Sequence, residues 1–103
     1  MASDESRRDA LRFARPDERT VQTQQTAGMR REAGVCPTTT GSVNIWSGLV
    51  TTPPGTRSGA HHHGPAESAI YVVSGRARFS WGEQLGESRI AEAGDFVYVP
   101  PYA

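Results

Sequence analysis

Residues 60–75 read AHHHGPAESAIYVVSG: three histidines in a row, then a carboxylate, then an apolar run closed by glycine. An affinity tag has that look, but a tag sits at a terminus and this run lies inside the chain. On an extended chain residues i and i+2 point the same way, so His61 and His63 share a face and His62 points away. Glu67 follows His63 by four residues and has the same parity, which adds a carboxylate to that face. Neutral imidazole is the commonest protein metal ligand. Two imidazoles and one carboxylate suit zinc or divalent iron, manganese or nickel, and leave positions open for water or substrate. Alone, HHH is also what a polar surface loop contains by chance. The turn residues before it and the strand after it favour a site.

Outward from this stretch the chain reads as short strands divided by turns. AIYVVSG (69–75) is a compact β run, and RARFSWG (76–82) alternates Ala77, Phe79 and Trp81 against Arg76, Arg78 and Ser80. A turn-rich GEQLGES follows, then RIAEAGD and FVYVPPY. Upstream, Pro53, Pro54 and Gly55 mark a turn. SVNIWSGLVTT (42–52) puts Val43, Ile45 and Ser47 on one face, and VQTQQT (21–26) is β-prone. Such spacing predicts an all-β barrel or sandwich. Residues 1–19 alternate arginines with acids. Ala10, Leu11, Phe13 and Ala14 could support a short helix stopped by Pro16, but the composition favours a flexible charged arm. The domain expected is therefore 20–103, behind an arm at 1–19.

Composition narrows the chemistry. At 103 residues the chain holds one domain at most, and 36% hydrophobic content predicts that part of it is loose. Its formal net charge is zero, so nothing steers it to nucleic acid or to a membrane surface. All eleven basic residues are arginine, which removes lysine nucleophiles, Schiff bases and a P-loop lysine. Cys36 is alone, so no intrachain disulfide or cysteine-based zinc cluster forms; beside turn residues it reads as inert or merely oxidisable. No apolar run approaches a membrane span, MASDESRRDA is too charged for a secretory signal, and the expected compartment is the cytoplasm.

GTRSGAHHHGPAESAIYVVSG resembles the first motif of the cupins, G(X)5HXH(X)3,4E(X)6G, through Gly55, His61, His63 and Glu67 in order. AGDFVYVPPY resembles the start of the second, G(X)5PXG(X)2H(X)3N, through Gly94 and Pro100, and residues 76–93 are similar to the intermotif hairpin. The resemblance covers residues 43–103. It implies a double-stranded β-helix, the cupin or jelly-roll barrel, with a divalent metal at its mouth held by His61, His63 and Glu67. It also implies a pocket lined by strand aromatics. Tyr71, which shares the parity of Glu67, leads the candidates, with Phe79 and Trp81 beside it; plain core packing is the alternative for all three. Arg76 and Arg78 share a face that an anion could use, or that is simply exposed sheet.

Three departures qualify the resemblance. Seven residues separate Glu67 from Gly75 where the motif has six, so a register set by Gly75 puts Ser68 in the glutamate position. Parity with the histidines and the poor ligand quality of serine favour Glu67. Tyr102 stands where the second motif has glycine, which makes the turn harder unless φ stays negative. The chain stops at Ala103, before the motif's histidine and asparagine. A fragment, a degenerate cupin or a barrel completed by a partner chain would each account for this, and an incomplete barrel with an unpaired edge invites a homodimer. Dioxygenases, isomerases and polyketide cyclases belong to the family, so the resemblance implies a small organic ligand or substrate and leaves open whether the chain is an enzyme. The alternative is a non-catalytic cupin that binds a small molecule or a protein.

Overall fold

The computed structural model describes residues 10–59 and 63–103, in two compact units spanning 1–59 and 60–103. The described chain is all-β, with helix confined to short 3-10 turns at Pro16–Glu18 and Glu83–Leu85. Pro16 starts its turn rather than stopping a helix: residues 10–15 are not helical, and proline's fixed φ suits the first helical position.

In the first unit β1 (Arg30–Val35) pairs antiparallel with β2 (Ser47–Thr51), Ala33 opposite Gly48, with a bulge between Ala33 and Val35. Ala33 is fully buried, and Thr20 exchanges two backbone hydrogen bonds with it at 2.8 and 3.0 Å. The expected strand at 21–26 does not form. Gln25 supplies the pairing through its side chain instead: Oε1 accepts from Arg31 N at 2.9 Å, and Nε2 donates to Arg31 O at 2.8 Å. A side-chain amide carries the same donor and acceptor as a peptide, so the sheet edge is satisfied without a third strand. The face expected from Val43 and Ile45 is absent too. The strand begins only at Ser47, because Ser42 Oγ donates to Ile45 O at 2.8 Å and turns the chain, leaving Val43 89% exposed. Trp46 lies beside this sheet with the Arg31 guanidinium 4.5 Å from its ring centroid, and its Nε1 donates to Thr23 Oγ1 at 3.1 Å.

β1 is followed by buried Cys36, which opens a turn closed by Thr40 N donating to Cys36 O at 3.0 Å and Gly41 N to Pro37 O at 3.1 Å. Hydrogen bonds from Thr38, then Thr39, draw the thiol from 9.0 down to about 7, against desolvation that raises it. Thr39 has one hydroxyl proton, and Gly34 O at 2.8 Å is a closer acceptor than Sγ at 3.5 Å, so Thr38 is the main thiolate donor. A depressed acid pKa makes unfolding free energy rise between pH 7 and pH 9, and that gain is lost as pH falls through 7. Thiolate absorbance should therefore titrate well below 9 in the folded protein, and Thr38→Val should move the midpoint back up. A midpoint unmoved by that substitution would contradict the assignment.

The second unit nests one antiparallel pair inside another. β4 (Arg76–Trp81) and β5 (Glu87–Glu92) form a hairpin, and the flanking β3 (Ser68–Tyr71) and β6 (Phe96–Val99) pair outside it. Ala77, Phe79 and Trp81 face across to Ala91, Arg89 and Glu87, as the alternation predicts. The corner between the pairs is held by buried Val72, whose N donates to Asp95 O at 3.0 Å and whose O accepts from Gly94 N at 2.9 Å. Gly94 sits there at φ +96 with open space around it, so backbone conformation, not crowding, calls for glycine. Long hairpins folded over at such corners are how jelly rolls are built.

Among the described residues the sheets remain two-stranded and none closes into a barrel, so the all-β architecture is incomplete. Among the described residues the buried apolar side chains are Ala33 and Cys36 in the first unit and Val72 and Ala91 in the second. No described helix is long and apolar enough to cross a membrane.

Candidate metal centre

The β3–β6 register sorts this sheet into two faces. Ser68, Ile70, Val97 and Val99 are half-buried on one, while Ala69, Tyr71, Phe96 and Tyr98 are exposed on the other. Tyr98 is directly opposite Ala69, and Glu67, two residues earlier, is the diagonal neighbour on the same face. The contact forms: Tyr98 Oη donates to Glu67 Oε1. That bond holds the phenol proton and raises the Tyr98 pKa, with burial and the carboxylate charge adding to it. A raised phenol pKa gives stability that is present below the ordinary value of 10.0 and lost as pH climbs through the folded one.

His63 lies on a turn, where the parity argument needed an extended chain. Ala66 N donates to His63 O at 3.3 Å across Gly64, whose φ is +63. The bend brings the imidazole back to the strand start, where Nδ1 meets Ser68 Oγ at 3.0 Å. These side-chain contacts join His63 to Ser68 and Glu67 to Tyr98, on residues whose strand directions are opposite. His61 and His62 lie outside the described residues. Among the described residues no group of three histidine, cysteine or acidic side chains comes together.

The turn is fastened from the other end of the unit by Tyr102 N donating to Gly64 O at 2.8 Å. Tyr102 reaches it at φ +61, the left-handed conformation that its glycine-like position asks for. For an L-residue that conformation costs about 1–2 kcal/mol.

Of the aromatic pocket candidates, Tyr71 stacks on Phe96, with centroids 4.7 Å apart and planes tilted by 50°. Phe79 and Trp81 are on the other ladder, opposite Arg89 and Glu87. Phe96 is the partner that parity alone could not supply, since it depends on how β3 and β6 are aligned. Arg76 lies 4.0 Å from Glu92, so one of the two arginines on that face already has an anionic neighbour.

Taken singly, His63 and Glu67 each have the kind of outer hydrogen bond that a ligand uses, but on residues of opposite strand direction, so the described residues do not assemble a shared metal site. A metal-ligating histidine typically hydrogen-bonds through its other ring nitrogen, and a ligating carboxylate is itself hydrogen-bonded. His63 and Glu67 each have such a partner, in Ser68 and Tyr98.

No curated protein and no solved structure matches the chain significantly. A family model does: the cupin domain aligns with residues 48–103, just over half the chain and the whole span from β2 through the second motif. With the first motif, the start of the second and the nested strand pairs in order, this chain belongs to the cupin domain family.

Proposed function

We propose that the chain is a metal-binding cupin whose ligands are His61, His63 and Glu67, serving a small organic ligand. What supports this reading is the first motif, with His61, His63 and Glu67 in order, inside the cupin-domain match over residues 48–103. With Oε1 engaged by a phenol, coordination by Glu67 falls to Oε2. A divalent ion bound there supplies Lewis acidity or an oxygen-activating centre. The residues around it contribute an aromatic wall, Tyr71 on Phe96, against which a flat apolar ligand packs.

Elemental analysis of the purified protein tests this. A near-stoichiometric divalent transition metal is expected, and His61→Ala should weaken it by at least about 100-fold, since even outer partners are worth 10–100-fold. The reading falls if no such metal is found and His61→Ala changes neither metal content nor Tm.

The exposed Tyr71–Phe96 stack favours a second reading, a non-catalytic cupin that holds its ligand by stacking. Ligand binding that survives a chelator would select it.

A further inference from the structure

We infer that the β4–β5 hairpin carries a binding site for a small organic carboxylate, with Arg78 and Arg76 on its anionic head and Ile90 against its apolar body. The register gives this hairpin two faces. Ala77, Phe79 and Trp81 fall on one of them with Ala91, which is buried, so that face is the packed one. The other carries Arg76 opposite Glu92, Arg78 opposite Ile90 and Ser80 opposite Ser88. An open depression of about 320 Å3 is lined by Arg76, Arg78 and Ile90 of this second face and by Ala77 between the arginines. Small-molecule sites begin at about 300 Å3. The site lies on a different ladder from Glu67, and its failure would leave the metal-binding reading untouched.

Charge decides the class of ligand. Arg76 and Glu92 stand 4.0 Å apart with both side chains well exposed, a weak pair that an incoming anion can share. Among the described residues the ion pairs are this one and Arg30–Glu32, so Arg78 has no acid of its own. An acid opposite Arg78 would add a stabilising cross-strand pair to the ladder. The chain places Ile90 there instead, an exposed apolar side chain beside an unneutralised guanidinium. Two arginines against Glu92 leave this face a surplus of a single positive charge. A carboxylate balances that surplus, whereas the second negative charge of a phosphate would meet Glu92. A guanidinium takes a carboxylate through paired hydrogen bonds in one plane. Residues i and i+2 of a strand are about 7 Å apart at the backbone, so one carboxylate can engage both arginines. The exposed surface of Ile90 then receives the apolar remainder of the ligand.

Benzoate is the probe, titrated into the full chain and followed by the NMR resonances of the backbone amides and the arginine Nε–H groups. Saturable shifts are expected at Arg76, Arg78 and Ile90. Arg78→Gln should weaken binding by at least about tenfold, the scale of a charge-assisted hydrogen bond. Arg78→Lys should restore only part of the loss, because an ammonium keeps the charge but not the planar fork. Ile90→Ser should weaken benzoate but not acetate, which has no ring to lay on that side chain. Glu92→Gln should tighten both by removing the competing carboxylate. All three substituted positions are exposed, and the dispersion of each variant's spectrum verifies that it is folded. The inference is overturned if the benzoate shifts climb without saturating and spread evenly over the exposed arginines, or if Arg78→Gln leaves the affinity unchanged. Inorganic phosphate binding at Arg78 as tightly as benzoate would overturn it too, since the face would then select charge alone.

Discussion

Gly48→Ala should cost the first unit close to 3 kcal/mol, the upper end of the 1–3 kcal/mol typical of overpacking. A Cβ at position 48 would lie 2.8 Å from Trp46 Cη2 and 3.0 Å from Ala33 Cα, and closer still to the Glu32 carbonyl oxygen. Two of those three neighbours are backbone of β1, which cannot rotate aside. Trp46 can, but only by giving up its bond to Thr23 and its stack on Arg31. No left-handed conformation is involved at this glycine, so space alone decides the outcome. Denaturation in urea, read by Trp46 fluorescence in a Trp81→Phe background, should show the midpoint falling sharply. Such a loss is a large fraction of the 5–15 kcal/mol that domains possess. An unchanged midpoint would mean that β1 does not pack against Gly48 in this register in solution.

What could be read beforehand, and what could not, follows from the range of the interactions involved. The run from Arg76 to Val99 was legible because alternation and glycine turns are local: Phe79 and Trp81 fall on one face of β4 whatever the rest does. β1 was not, since Arg30, Arg31 and Glu32 offer no apolar alternation and the strand exists only because β2 and Thr20 bracket Ala33. The segment 21–26 misled for the opposite reason: its residues suit a strand, but Gln25 satisfied the edge from its side chain. At the candidate site the residue types could be picked from the motif, but not their surroundings. The turn at Gly64 replaced the extended path assumed between His63 and Glu67. The partners Ser68 and Tyr98 required knowing that bend and the β3–β6 register.

Replacing Tyr71 and Phe96 together by serine should abolish most binding of a hydrophobic dye such as ANS while shifting unfolding free energy by no more than about 1 kcal/mol, because substitutions at exposed positions rarely cost more. Tyr71 is 51% exposed, Phe96 78% and Tyr98 61%, and all three share the face that carries Glu67. Full burial of an aromatic side chain removes roughly 150–250 Å2 from water, so at about 25 cal/mol per Å2 this face leaves several kcal/mol of stabilisation unrealised. The exposed aromatic face of this sheet and the face that carries Glu67 are therefore the same one. Whatever occupies it, ligand or further strand, both completes the apolar packing and encloses Glu67 and Tyr98. Occupation should accordingly raise Tm and displace the dye in one event. If the dye stays bound after the double substitution, the exposed apolar surface lies elsewhere, with Val43 and Ile45 of the first unit the next place to look.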